Sequence, residues 1–245
     1  MQNYKMILQY EGTRYDGWQK QGNTDNTIQG ILEGLLNQIS GENVEVNGSG
    51  RTDAGVHAMA QCASFSLENA LDCSKLKAEL NAALNRDIRI LSIENAPPRF
   101  HARLNAKGKS YTYRICTGEK ADVFNRHIMY LHPCRADVDS IKKAAGFLVG
   151  SHDFKSFCSN KRMKKSTVRE IYSIDVKYEN DVLELTFTGS GFLYNMVRIL
   201  AGTLLDVGTG KISPDSIPAI LESLDRKNAG ATLPSGGLML DEVYY

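Results

Sequence analysis

The order in which strand and helix patterns alternate constrains the fold of this chain more than any other feature. In the first 105 residues, short apolar or alternating runs predict strands at 5–10, 44–46, 60–67 and 87–96. Apolar residues at helical spacing predict helices at 27–40 and 74–85. The resulting order, β-α-β-β-α-β, is that of a ferredoxin-like (RRM-like) domain.

The rest of the chain repeats this theme loosely. Its patterns predict strands at 110–116, 127–132, 169–178, 182–189 and 236–245, and helices at 139–150, 191–207 and 213–225. We therefore predict an α+β protein made of two related halves, residues 1–105 and 106–245. Two antiparallel sheets of this kind can join edge to edge, with the helices on one side and a long cleft between the halves.

Composition excludes several classes of protein. The net charge is only +1, so a nucleic-acid partner would have to be held by a local basic surface. The five cysteines are odd in number, widely spaced and without a CxxC pair, which favours reduced thiols in a cytosol over disulfides or a zinc site. No histidine pattern implies a metal, and we expect neither a signal peptide nor a membrane span.

The glycine-rich stretch GSGRTDAGVHAMAQ places a carboxylate two residues after a guanidinium. Gly50 and Gly55 permit backbone conformations closed to other residues, so Asp53 is predicted on an irregular loop before a strand. In an extended loop, Arg51 and Asp53 would project to the same side, and the cation would keep the carboxylate ionised, as a nucleophile requires. The alternative is a turn carrying a surface ion pair worth about 0–1 kcal/mol.

Two further patterns hold candidate site residues. Arg198 lies in the apolar helix pattern GFLYNMVRILAG, which predicts that it is at least partly buried and needs an acidic partner. Asp53 is one candidate partner, and a structural ion pair in the core is the alternative. Tyr111 and Tyr113 share one face of a predicted strand beside Lys109, either as core packing or as a stacking surface for an RNA base.

Two segments are rich in basic residues and could contact a phosphate backbone. Solvated loops are the alternative explanation for such runs. The segments are SNKRMKKSTVRE, with Lys161, Arg162, Lys164, Lys165 and Arg169, and FHARLNAKGK, with His101, Arg103, Lys107 and Lys109.

Taken together, these blocks resemble the TruA-type tRNA pseudouridine synthases nearly end to end. GRTDAGVHA matches the active-site signature of that family. Weaker blocks follow in the family's order: YEGTRYDGWQKQ, FHARLNAKGKSYTYRI, HDFKSFC, FTGSGFLYNMVRILAGTLLDVGTG and NAGATLPSGGLML. The departures are Glu11 for the usual Asp, Leu233 for Ala, and Met239 where an aromatic residue is often seen.

The resemblance implies isomerisation of uridine to pseudouridine at positions 38 to 40 of the tRNA anticodon stem-loop. It implies that Asp53 is the catalytic nucleophile, that Arg51 helps to hold the vacated or flipped position, and that Tyr111 stacks on the uracil and could accept its C5 proton. Arg198 would pair with Asp53, and the basic segments would meet phosphates. The resemblance also implies a homodimer in the cytoplasm that needs no cofactor, since no atom is gained or lost.

Two other functions fit parts of the pattern. A non-catalytic RNA-binding protein or tRNA chaperone could use the same cleft, and Asp53 would then be dispensable. A small-molecule hydrolase with an aspartate nucleophile would need a second catalytic carboxylate or a metal set, and the sequence offers no convincing motif for either.

Overall fold

The computed structural model describes residues 1–160 and 162–245. Over these residues the chain is a mixed α+β protein. The strands are β1 (Gln2–Tyr10), β2 (Asn47–Gly48), β3 (His57–Leu67), β4 (Ile88–Ala96), β5 (Gly108–Cys116), β6 (Tyr130–Leu131), β7 (Gly150–Asp153), β8 (Val168–Glu179), β9 (Val182–Gly189) and β10 (Leu238–Tyr244). The helices are α1 (Ile28–Ser40), α2 (Cys73–Ala83), α3 (Val138–Gly146), α4 (Met196–Gly208) and α5 (Ile217–Ser223).

The chain forms two compact units. The first contains Met1–Lys107 together with Met239–Tyr245, and the second contains Gly108–Leu238. The last seven residues, which the sequence analysis counted with the second half, thus lie in the first unit. They lie there because β10 pairs with β3 in parallel, with Met239 opposite His57.

The first unit is built around β1, which pairs antiparallel with β3 on one side and β4 on the other. Short β2 pairs antiparallel with β3 further along that strand. The inward side chains of β1, among them Met6 and Leu8, are fully buried, as is the apolar stripe of α1 that includes Leu32. The observed order β-α-β-β-α-β follows the sequence prediction for this unit.

The second unit holds an antiparallel sheet in the order β5-β9-β8-β7, with β6 added in parallel to β5. Tyr113 of β5 and alternate residues of β9 are fully buried, with Tyr113 opposite Leu185. Helix α4 is buried along most of its length and contacts α3. An apolar helix of this kind belongs to a core rather than to a surface.

Several sequence predictions were wrong in detail. Residues 44–46 are not a strand, because the N–H of Val44 donates to the side chain of Asn37 (2.7 Å) and that of Val46 to the carboxylate of Glu33 (3.1 Å). These bonds tie the segment to α1 instead of to a strand ladder. The strand predicted at 127–132 is reduced to the two residues of β6.

The helix predicted to begin at residue 191 begins at Met196. Asn195, just before it, adopts a left-handed backbone conformation with φ 60°, which stops the helix from extending backwards. Gly191 and Tyr194, which the predicted helix at 191–207 included, therefore lie before α4. Strand β7 was not predicted at all.

Candidate active site

The Asp53 loop, residues 49–56, connects β2 to β3 in the first unit. Exposure alternates along it: Arg51 is exposed, Thr52 is buried and Asp53 is partly exposed. Thr52 is thus buried between two residues that reach the surface. The loop thus presents a cation and a carboxylate outward from a buried support.

Segment 11–18 supports the loop through the backbone. The N–H of Trp18 donates to the carbonyl of Thr52 at 3.0 Å, and the N–H of Gly55 donates to the carbonyl of Tyr15 at 3.3 Å. A third bond, from the N–H of Val56 to the carbonyl of Asp53 (3.1 Å), closes a turn within the loop. The peptide groups on both sides of the carboxylate are therefore fixed.

The close approach of this segment to the loop depends on glycines, as Gly12 and Gly48 illustrate. A Cβ on Gly12 would overlap the carbonyl of Val56, and a Cβ on Gly48 would overlap the indole of Trp18. Trp18 itself is almost completely buried. The loop and its supporting segment consequently pack backbone against backbone and backbone against ring, which leaves little freedom for movement.

His57 adds a polar contact at the end of the loop. Its Nδ1 accepts the N–H of Gly12 at 3.0 Å, and the carboxylate of Glu11 lies 3.3 Å from the same nitrogen. One nitrogen cannot accept from Gly12 and donate to Glu11 at once. We assign the acceptor role, because a backbone N–H can only donate and that of Gly12 is directed at this nitrogen.

A buried group of polar side chains, the loop-support network, lies behind the Asp53 loop. It consists of Tyr10, Ser49, Thr52 and Gln61, none of which is more than 6% exposed. All four residues lie within the sequence blocks quoted above, but no pattern predicted a role for any of them. The signal that could have found them is the presence of hydroxyl and amide side chains at core positions of strand patterns.

Tyr111 lies on β5 in the second unit, opposite Phe187 of β9. It is 8% exposed, and its ring meets that of Phe192 edge-on at 5.3 Å. Tyr113 differs in being fully buried, and its hydroxyl donates to the carbonyl of Pro234 at 2.7 Å. Burial raises the pKa of Tyr113 well above its usual range. Tyr113 is therefore a core residue, and only Tyr111 retains some accessible surface.

Arg198 lies near the start of α4, also in the second unit, and is half-buried. Its Nε donates to the carbonyl of Leu233 at 2.7 Å, and a terminal nitrogen donates to the side chain of Asn195 at 2.9 Å. These bonds hold the guanidinium in one orientation. Leu233, one of the departures from the family pattern, contributes through its backbone carbonyl, so its side-chain identity does not alter this contact.

The two candidate RNA-contact segments lie mainly in different units, although Lys109 of the segment FHARLNAKGK already belongs to the second unit. Arg103 is exposed and His101 half-buried in the first unit, on a loop that also accepts two hydrogen bonds from Asn3. In the second unit, Arg162, Lys164 and Lys165 are exposed and Arg169 is partly buried. Lys161 lies outside the described residues.

Two kinds of feature are absent from the described residues. Within 1–160 and 162–245, none of the helices is long and apolar enough to cross a membrane. Over the same residues, no group of three or more His, Cys, Asp or Glu side chains is arranged to hold a metal ion.

Comparison with known proteins covers the whole chain. The sequence pattern of a family described as tRNA pseudouridine synthase matches residues 6–105 and 144–245. Relatives aligned over 245 residues, all of this chain and all of theirs, include tRNA pseudouridine synthase A of Caldicellulosiruptor bescii at 44% identity and of Acetivibrio thermocellus at 42%. A third, tRNA pseudouridine synthase A 2 of Bacillus cereus strain ZK / E33L, is 43% identical over the same length.

Proposed function

This chain belongs to the tRNA pseudouridine synthase family, and we propose that it isomerises uridine to pseudouridine at positions 38 to 40 of the tRNA anticodon stem-loop. Asp53 is the proposed nucleophile. The observation that carries the proposal is the rigid loop that presents the partly exposed carboxylate of Asp53 within a stretch matched by the family pattern.

The reaction moves one bond within one nucleotide. The bond between uracil N1 and the C1′ carbon of ribose breaks, and a bond from C5 to C1′ forms. The proton on C5 leaves, and N1 gains one, so atoms and electrons balance without a cofactor. An ionised carboxylate can assist by attacking C1′, by attacking uracil C6 or by helping to remove the 2′ proton.

The target base is stacked inside RNA, so it must leave the stack before it can turn over. In the proposal, Arg51 helps to hold the vacated or flipped position, which its exposure on the loop permits. Tyr111 stacks on the uracil and accepts the C5 proton directly or through water. Arg198 is the cation that keeps the nucleophile ionised. Tyr111 lies between the two stretches matched by the family pattern but within the full-length alignments.

Binding of tRNA is proposed to use the basic segments. His101 and Arg103 lie on a loop held by Asn3, and the exposed side chains of Arg162, Lys164 and Lys165 are free of any ion pair in the described part of the chain. Lys161 and Arg169 complete the proposed set. Contacts of this kind make binding strongly dependent on salt.

Three broader features complete the proposal. Both units are proposed to be ferredoxin-like, which the element order of the first unit supports. The enzyme is proposed to act in the cytoplasm, where its five cysteines, all unpaired, stay reduced.

We also propose a homodimer, for which light scattering should give twice the 27.1 kDa chain mass. An active monomer would contradict the proposed dimer but not the proposed reaction.

The test of the function is tritium release from tRNA labelled at uridine C5, combined with mapping of pseudouridine at positions 38, 39 and 40. Asp53→Asn should abolish release while leaving tRNA binding intact. Asp25→Asn, which removes an exposed carboxylate elsewhere in the first unit, should retain full activity. Full activity in Asp53→Asn would refute the nucleophile. A wild-type protein that binds tRNA without forming pseudouridine would support the RNA-binding alternative.

A further inference from the structure

We propose that Tyr10 is a positioning residue for the reaction, and that it acts on the Asp53 loop through Thr52 and Gln61 of the loop-support network. This inference rests on the proposed function and names a group that does not touch the substrate. It explains why a buried polar cluster lies directly behind the candidate nucleophile.

The contacts form a continuous chain. The Tyr10 hydroxyl lies 2.8 Å from the Thr52 hydroxyl, and the side-chain nitrogen of Gln61 donates to the carbonyl of Gly50 at 3.0 Å. That nitrogen also lies 3.5 Å from the Tyr10 hydroxyl, a long contact in donor geometry. The oxygen of Gln61 accepts from the hydroxyl of Ser49 at 2.6 Å.

These partners fix the orientation of the Gln61 amide. Gln61 must turn its nitrogen towards the Gly50 carbonyl, so the same amide group points a donor at Tyr10. The Tyr10 hydroxyl thus lies within reach of that donor and at hydrogen-bond distance from the Thr52 hydroxyl, a pair in which either hydroxyl can donate. Burial raises the pKa of Tyr10 to about 12, so the phenol keeps its proton throughout the neutral range.

The network holds alternate residues of the loop. Gln61 binds Gly50, and Tyr10 binds Thr52, whose carbonyl is also held by the N–H of Trp18. The two held residues flank Arg51, and the second directly precedes Asp53. Fixing them sets the direction in which both outward side chains leave the loop, and a misplacement of about 1 Å can cost a reaction about 100-fold.

The structure offers a matched control on the same strand. Tyr4 lies six residues before Tyr10 on β1, is also buried, and its hydroxyl accepts the N–H of Leu71 at 2.8 Å and donates to its carbonyl at 3.0 Å. Tyr4→Phe removes a buried tyrosine hydroxyl from the same strand without touching the loop. A general loss of stability would affect both variants, whereas a loss of positioning would affect only Tyr10→Phe.

The experiment compares kcat, the tRNA dissociation constant and amide hydrogen exchange for Tyr10→Phe and Tyr4→Phe. We expect kcat to fall about 10- to 100-fold in Tyr10→Phe with tRNA affinity unchanged, and to stay within about twofold of wild type in Tyr4→Phe. Peptides covering residues 49–58 should exchange faster only in Tyr10→Phe. Unchanged kcat and unchanged exchange in that variant would overturn the inference.

A second pair of variants tests the route through Thr52. Thr52→Ser keeps the hydroxyl and should retain most of kcat, whereas Thr52→Val keeps the shape and should lose as much as Tyr10→Phe. The double variant Tyr10→Phe/Thr52→Val should be no worse than either single one, because both remove the same bond. Additive losses would contradict this route.

The outcome can be separated from that of the proposed function. If Asp53→Asn is inactive while Tyr10→Phe is fully active, only the positioning role fails. If Asp53→Asn keeps full activity, the nucleophile assignment fails, and the exchange of residues 49–58 still decides whether Tyr10 rigidifies the loop.

Discussion

Single residues set how tightly the Asp53 loop is supported. Trp18 and Gly48 illustrate this, because the indole occupies the space that any side chain at position 48 would need. The glycines that predicted an irregular loop therefore have a second role, in packing. Gly48 is needed for close packing, and the segment it belongs to is held rather than mobile.

Replacing Gly48 by alanine should destabilise the protein by about 1–3 kcal/mol, because the new methyl group forces the buried Trp18 ring to move. Urea denaturation measures this loss. Gly34→Ala is the control, because that position is exposed within α1 and its Cβ would meet nothing within 4 Å. It should gain about 0.5–1 kcal/mol from helix propensity. Equal stability of the two variants would contradict the packing role of Gly48.

At the scale of elements, side chains at helix starts determine several boundaries that periodicity leaves open. Thr27, Asp72 and Asp137 each accept a backbone N–H of the first turn of α1, α2 and α3, respectively. Helix α4 has no such bond and begins after the left-handed Asn195. Caps are local and readable from sequence, whereas a left-handed residue at a helix start is not.

Helix α2 should be the most sensitive to its cap, since only Leu76 and Leu80 are buried along it. The carboxylate of exposed Asp72 accepts the N–H of Lys75 at 2.8 Å. Asp72→Ala should therefore lower the free energy of unfolding by about 1 kcal/mol. Chemical denaturation measures it, and Asp72→Ser, which keeps an acceptor, should lose much less. A stable Asp72→Ala protein would show that tertiary contacts alone hold α2.

At the scale of the whole molecule, the chain ends in the unit where it began. Leu240 is fully buried opposite Ala58 of β3, and the hydroxyl of Tyr245 donates to the carbonyl of Ala102 at 2.7 Å. The Tyr245 ring also lies 5.1 Å from that of Phe100. The last residues thus contribute to the core of the first unit and hold the loop that carries Arg103.

Truncation after residue 238 should destabilise the first unit more than the second, because it removes a strand from the first. Hydrogen exchange measures the two units separately, and peptides from β3 should lose more protection than those from β9. Tyr245→Phe, which removes only one hydroxyl, should leave β3 protected. Equal loss of protection in β3 and β9 would show that the two units unfold together.

The sequence by itself determined the alternation of strands and helices in the first unit, the loop around Asp53 and the family resemblance, because each depends on neighbouring residues. The spacing of apolar residues indicates which face of an element is buried, and this spacing can be seen in the sequence alone. The order of elements in the first unit was therefore predicted. Most of the predicted element boundaries differ from the observed ones by one to several residues.

Only the tertiary structure decided the bonds between residues far apart in sequence. Val46 is not part of a strand, because its N–H donates to the carboxylate of Glu33 on α1. Strand β10 belongs to the first unit, because it pairs with β3. The contact of Tyr10 with Thr52 spans 42 residues in the same way. A buried polar group must find a partner wherever the fold places one, and local sequence carries no record of that partner.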